Sequence, residues 1–86
     1  MNCQSCDYEK TALEIVALEL GWAKAKHPER LSEVGRIVTM VEELGEVAQA
    51  VQDGESPYNR IMEAAQVAVT AIRFIEEQLQ LHPNIC

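Results

Sequence analysis

The chain has 86 residues and therefore forms one small domain, near the size at which a single chain has difficulty burying enough apolar surface. Its formal charge of −7 argues against nucleic acid as a partner, because binding to phosphates relies on Lys and Arg. No run approaches the roughly 18 apolar residues of a membrane span, and the first residues lack the apolar segment of a signal peptide, so we expect a cytoplasmic protein.

The first predicted helix follows a polar tail of residues 1–6 and runs from about Asp7 to Lys26. Asp7 is a suitable N-cap, and lysines near the other end complement the helix dipole. Apolar residues form two stripes, one of Ile15, Leu18 and Trp22 and one of Ala12, Val16, Leu20 and Ala23. We therefore expect burial on two sides of this helix. Residues 7–86 are predicted to form a single helical domain.

The second predicted helix begins at about Glu29 or Leu31 and ends at Gln52. Its apolar residues recur with helical periodicity and predict a core face of Val34, Ile37, Val38, Val41, Leu44, Ala48 and Val51. The opposite face places small residues beside acids, namely Gly35, Thr39, Glu42, Glu43, Glu46, Gln49 and Ala50. Small neighbours indicate that another group approaches these acids closely.

The third predicted helix starts with Ser56 as its cap and Pro57 in its first position, and it continues to about Leu81. Its polar residues fall in one narrow stripe of Asn59, Glu63, Gln66, Thr70, Arg73 and Glu77. Most of the remaining surface is apolar, and two neighbouring helices cannot cover so wide an arc. We therefore predict a homo-oligomer, at least a two-fold dimer.

The fold class that these elements predict is all-α. Three antiparallel helices would complete a helical bundle through a homodimer or a dimer of dimers. Residues 53–57 form a tight break, so the second and third helices should make a hairpin. At about 1.5 Å rise per residue, Glu46 then lies level with Glu63, and Glu43 lies level with Gln66.

Such a cluster of oxygen ligands predicts a hard divalent cation. Packed acids raise one another's pKa unless a cation intervenes. Oxygen-only ligands suit Mg²⁺ or Mn²⁺, and the absence of neighbouring His or Cys argues against zinc. A di-iron bundle would require Glu-x-x-His pairs, and the sequence has none. The competing interpretation is that these acids are only solvated helix-surface residues.

The pattern Glu43-x-x-Glu46, sixteen intervening residues, then Glu63-x-x-Gln66 resembles a family signature. It is similar to the Glu-x-x-Glu and Glu-x-x-Asp motifs of the MazG-like, all-α nucleoside triphosphate pyrophosphohydrolases. The wording of residues 42–48 and of 66–69 is also similar to that family. The resemblance covers roughly residues 31–77.

This resemblance implies Mg²⁺-dependent hydrolysis of a nucleoside triphosphate to the monophosphate and pyrophosphate, in clearing unwanted nucleotides. It implies that the metal ligands are Glu43, Glu46, Glu63 and Gln66, with Glu42 as a supporting acid or a base. Candidates for substrate contacts are Trp22, Thr39, Asn59, Arg60 and Arg73, and weaker ones are Lys24, Lys26 and Arg36. Trp22 could stack on a base, although its spacing from Leu18 also suits a core position.

Gln66 departs from the family pattern, because an amide stands where the family has aspartate. An amide keeps an oxygen ligand but carries no charge and cannot act as a base. A slow enzyme, a variant subfamily and a nucleotide-binding relative without turnover therefore all remain open. A different class of function is a helical interaction module, in which the acids only provide solubility.

The cysteines leave three interpretations open. Cys3, Cys6, His82 and Cys86 have spacings that would suit a zinc site between subunits. Cys3-x-x-Cys6 before a helix also fits a redox pair. The third interpretation, plain reduced thiols, agrees best with an odd cysteine count in a cytoplasmic protein.

Overall fold

The computed structural model describes residues 7–85, and within that range the chain is all-helical. Helix α1 spans Tyr8–Lys26, α2 spans Glu33–Gln52 and α3 spans Pro57–Leu81, and a short 3₁₀ turn covers Pro83–Ile85. None of these helices combines the length and apolar character needed to cross a membrane. The three predicted helices are therefore confirmed over the described range.

Each helix starts where a short polar side chain caps it. Asp7, Ser32 and Ser56 each accept a hydrogen bond from the backbone N–H three residues later, at 3.0 to 3.2 Å. The prediction that α2 begins at Glu29 or Leu31 was wrong, because Ser32 is the cap and the helix begins at Glu33. Residues 27–32 instead form a connection without regular secondary structure after the His27-Pro28 break.

The turn between α2 and α3 makes the expected hairpin. Gly54 has φ +66°, a left-handed conformation that L side chains rarely adopt. The N–H of Glu55 then returns to the carbonyl of Ala50 at 2.9 Å, which satisfies one of the last carbonyls of α2. This short, hydrogen-bonded turn determines which faces of the two helices meet.

Helix α3 is central, with α1 and α2 both packed against it and not against each other within the described residues. Among the described residues the buried apolar side chains are small, namely Ala50, Ala65 and Val69. Polar side chains are buried beside them, namely Arg36, Thr70 and Arg73. The polar stripe of α3 therefore faces the inside of the protomer, between its two neighbours.

The predicted core face of α2 was wrong within the protomer. Val34 is 71% exposed and Leu44 is 58% exposed, and the other large residues of that face are exposed as well. Helix α2 instead turns toward α3 a face of mixed polarity, which includes Arg36, Thr39, Glu43, Val47 and Ala50. The physical reason is that the buried guanidinium of Arg36 needs an acceptor, which Glu77 of α3 supplies.

The prediction that α1 is buried on two sides was also wrong within the protomer. Val16, Leu20 and Ala23 of one stripe are half-buried, whereas Leu18 and Trp22 of the other are 73% and 66% exposed. Large residues of α3 such as Ile61 and Ile75 are exposed too. Exposed apolar surface therefore extends over all three helices.

Candidate metal centre

Three carboxylates converge where α2 meets α3. Glu43 and Glu46 are one turn apart on α2, and Glu63 lies opposite them on α3. Each offers a carboxylate oxygen, and the three oxygens lie within 4.8 Å of one another. The hairpin spacing predicted this convergence. Oxygen atoms at such separations can ligate one hard cation together.

The pKa values of these acids reflect their crowding. Burial is the largest cause that raises the pKa of Glu43, and the neighbouring Glu46, Glu63 and Glu42 raise it further. Burial also raises the pKa of Glu63, with Glu46 as the second cause. Within residues 7–85 the ion pairs join Lys24 to Glu76 and Arg36 to Glu77, so neither pair neutralises this cluster. A cation or a bound proton would relieve the repulsion.

Gln66 lies next to a fourth acid that the sequence interpretation missed. Its side-chain nitrogen donates to the Oε1 of Glu19 on α1, at 2.7 Å. Both side chains are half-buried. A signal was available, because Glu19 interrupts the apolar stripe of Val16, Leu20 and Ala23 that packs on α3. An acid in a buried stripe indicates a polar partner on the opposing helix.

A cleft of roughly 240 Å³ adjoins the cluster through Glu43. The end of α1, the connection that follows it, α2 and α3 all contribute to its lining, which comprises Ala23, His27, Glu29, Leu31, Arg36, Thr39, Glu43, Gln66, Val69, Thr70 and Arg73. Both polar and aliphatic side chains line it. A cleft with a few convergent polar groups beside perturbed acids is the usual form of a small-molecule site.

The two arginines that line this cleft are held by protein acceptors. Arg36 donates to both carboxylate oxygens of Glu77, at 3.1 and 2.7 Å. Arg73 donates to the backbone carbonyl of His27 at 2.7 Å and makes longer contacts, each of 3.5 Å, with those of Ala23 and Glu29. Arg73 therefore ties the end of α1 to α3, a role that the sequence interpretation did not include.

The remaining predicted substrate contacts lie in different places. Thr39 is half-buried, lines the cleft and donates to the carbonyl of Gly35 at 3.0 Å. Asn59 and Arg60 are exposed at the start of α3, about one turn before Glu63, and both contact Glu55.

Two further predicted residues lie outside the cleft lining. Trp22 is exposed on α1, with the ammonium of Lys26 5.3 Å from its ring centre. Glu42 is exposed beside Glu43. The structure thus brings the three glutamates together directly. Gln66 and Thr39 are related to this cluster because they line the same cleft as Glu43.

The predicted zinc and redox sites lie mostly outside the described residues. Cys3, Cys6 and Cys86 fall there, as does the tail of residues 1–6. His82 is described and is exposed at the end of α3, where its N–H bonds the carbonyl of Gln78 at 2.9 Å. The interpretation of the thiols stays a prediction.

Comparison with known proteins provides no family for this chain. Neither a family model, nor a curated protein, nor a solved structure matches it. The resemblance to the MazG-like family therefore stays a prediction, and the chemistry of the site has to be argued from its own residues.

Proposed function

We propose that this protein is a Mg²⁺-dependent nucleoside triphosphate pyrophosphohydrolase. It would convert a ribo- or deoxyribonucleoside triphosphate and water into the monophosphate and pyrophosphate, and so clear unwanted nucleotides. The observation that carries the proposal is the convergence of Glu43, Glu46 and Glu63 from two helices beside a cleft. The resemblance in motif spacing agrees with it.

The donor set fits a hard cation. All three groups are carboxylates, and burial together with the neighbouring acids raises the pKa values of Glu43 and Glu63. In an acidic protein, a bound cation would supply the positive charge that attracts a triphosphate. When bound, Mg²⁺ would neutralise phosphate charge and lower the pKa of an attacking water; Mn²⁺ is a suitable substitute.

The residues of the chain would divide the remaining work. Glu43, Glu46 and Glu63 hold the cation, with the Gln66 oxygen as a neutral ligand. Glu42, exposed beside them, would take a proton from water. The cleft would hold the sugar or base, using the hydroxyl of Thr39, and its lining of both polar and aliphatic side chains suits such a ligand.

The positions of the other predicted substrate-contact residues limit the role that each would have in binding substrate. Asn59 and Arg60 lie on the other side of Glu63 along α3 and can reach phosphate from there. Arg73 would act indirectly, because its guanidinium is held by the carbonyls at the end of α1. Trp22 would contact substrate only if a base extends beyond the cleft lining.

We also propose that two copies associate through the exposed apolar face of α2. This face comprises Val34, Ile37, Val38, Val41, Leu44, Ala48 and Val51. Over residues 7–85 the buried apolar side chains are Ala50, Ala65 and Val69, which make a small core, so association would supply much of the hydrophobic stabilisation. Pairing of two such dimers is the larger assembly to consider.

The second candidate function is a helical oligomerisation module or a nucleotide-binding relative without turnover. The same exposed apolar face favours the module, because a protein that only mediates association needs no acidic cluster. The amide at Gln66 favours the relative without turnover, because it removes one negative charge from the site.

Pyrophosphate release from a panel of ribo- and deoxyribonucleoside triphosphates separates these functions. The enzyme releases pyrophosphate with Mg²⁺, stops with EDTA, and loses activity in Glu46→Gln and Glu63→Gln. Glu14→Gln, which removes an exposed acid of α1, is the matched control. If only a Gln66→Asp variant releases pyrophosphate, the wild type is a nucleotide-binding relative without turnover. No release by either protein, together with no metal binding, would leave the module.

A further inference from the structure

A hydrogen bond between α1 and α3 controls the orientation of the Gln66 amide. Its Nε2 donates to the Oε1 of Glu19, 2.7 Å away and 47 positions distant in the sequence. We propose that Glu19 is a positioning residue, which holds the amide with its nitrogen toward α1 and leaves the carbonyl oxygen as the end available to a cation. This inference rests on the proposed function of the site.

The argument begins with the two ends of an amide. They have nearly the same shape, but one donates hydrogen bonds and the other accepts them. An ionised carboxylate only accepts, so Glu19 can bond only the nitrogen of Gln66. A hard cation takes the oxygen of an amide as its ligand. The orientation that Glu19 selects is therefore the one in which Gln66 can serve as a ligand.

The orientation of the Gln66 amide matters because its side chain lies close to the proposed metal ligands. Its side chain lines the same cleft as Glu43, which belongs to the carboxylate cluster. With the reverse orientation, the amide nitrogen would present its hydrogens to that side and would oppose a cation. A fixed amide avoids this competition without adding a fourth charge to Glu43, Glu46 and Glu63.

The net charge of Glu19 and Gln66 also explains why these two residues act as a pair. Glu19 and Gln66 together carry one negative charge. In a Gln66→Asp variant two carboxylates would face each other, and like charges at that distance disfavour ionisation of both. A carboxylate has two equivalent oxygens, so position 66 would then have no orientation for Glu19 to select.

A double-mutant cycle measured by Mn²⁺ binding tests the inference. Free Mn²⁺ is counted by electron paramagnetic resonance for the wild type, Glu19→Gln, Gln66→Asp and the double variant. In the wild-type background we expect Glu19→Gln to weaken Mn²⁺ binding about tenfold, the usual effect of losing the partner that orients a ligand. A neutral amide at position 19 can donate or accept, so it no longer selects one orientation of Gln66.

In the Gln66→Asp background we expect Glu19→Gln to cause no loss of Mn²⁺ binding, because position 66 then has no amide to orient. Glu14→Gln controls for the loss of one carboxylate from α1, and urea unfolding of each protein confirms that it is folded. Equal losses in the two backgrounds would show that Glu19 acts through its charge alone, and no loss in the wild-type background would show that it does not act on the site. Either result overturns the inference.

The failure of this inference is distinguishable from the failure of the proposed function. If the wild type binds no Mn²⁺, the metal site itself is wrong and the inference is overturned with it. If the wild type binds Mn²⁺ but the cycle shows no coupling, only the role of Glu19 is wrong. In an active enzyme, the same cycle should appear in kcat for pyrophosphate release, with KM for the nucleotide nearly unchanged.

Discussion

Arg36 of α2 and Glu77 of α3 form a bidentate ion pair inside the protomer, with N–O distances of 3.1 and 2.7 Å. Their side chains are only 4% and 14% exposed. The hydrogen bond from Arg36 is the main reason why the pKa of Glu77 lies below its ordinary value. This pair joins the two arms of the hairpin at the end opposite the turn, and Arg36 also lines the cleft.

Replacing Glu77 with Ala should destabilise the protein strongly. The variant leaves the guanidinium of Arg36 buried without its partner, which typically costs about 3–5 kcal/mol. We expect a matching loss in the free energy of unfolding, measured with urea. Glu76→Ala is the matched control, because its ion pair with Lys24 is much more exposed and should contribute less than about 1 kcal/mol. Equal losses would contradict the role assigned to burial.

Stability should depend on pH in two opposite ways. The pKa of Glu77 is lowered, so its stabilisation is complete above the unfolded value of about 4.5 and is lost as the pH falls below it. The pKa values of Glu43 and Glu63 are raised, so these acids destabilise the metal-free fold at neutral pH. That destabilisation is relieved as the pH falls through their folded pKa values toward 4.5.

The variant Glu63→Gln isolates the second effect. In EDTA at pH 7 we expect this variant to be more stable than the wild type, because it removes an acid whose ionisation the fold disfavours. The difference should shrink as the pH is lowered toward 4.5. Urea midpoints across this range measure it. A variant that is less stable at every pH would show that the ionised carboxylate stabilises the fold.

Adding Mg²⁺ should stabilise the wild type more than a variant that lacks one of the proposed ligands. A ligand at 100 times its dissociation constant stabilises the state that binds it by about 2.7 kcal/mol. We therefore expect the melting temperature of the wild type to rise with Mg²⁺, and that of Glu46→Gln to rise much less. Thermal unfolding with and without EDTA makes the measurement. Equal rises in the two proteins would place the ion elsewhere.

Association through α2 should be sensitive to a buried charge. Val38→Glu places a carboxylate in the centre of the exposed apolar face, and we expect dimerisation to weaken by at least about tenfold, or 1.4 kcal/mol. Sedimentation across a concentration series measures the effect. Gln80→Glu adds the same charge on α3, outside that face, and should leave the mass unchanged. A monomeric wild type would defeat the dimer proposal.

The glycines of the turn and of α1 should respond to alanine in opposite directions. Gly54→Ala introduces a Cβ at φ +66°, which should cost about 1–2 kcal/mol of stability. Gly21→Ala is the matched control, because it lies inside α1 with open space around its Cβ direction and should gain about 0.5–1 kcal/mol. Urea unfolding of both variants measures the contrast.

Much of the fold was predictable because its causes are local. Asp7, Ser56 and Pro57 have chemistry that starts helices, and the turn around Gly54 is short enough to determine the level of the residues on either side. The convergence of Glu46 with Glu63 follows from counting equal numbers of residues back from that turn. The start of α2 was predicted too early, because Ser32 rather than a residue upstream of it caps the helix.

What the amino-acid sequence by itself determined is the set of helices, the hairpin and the glutamates that the hairpin brings level. Only the tertiary structure decided how each helix is rotated about its own axis. Helix α2 turns Arg36 inward, where Glu77 of α3 accepts its hydrogen bonds, and leaves Val38 outside. The same packing brings Glu19 to Gln66, across 47 positions of sequence. Periodicity identifies the faces of a helix, whereas the neighbouring helices decide which face is buried.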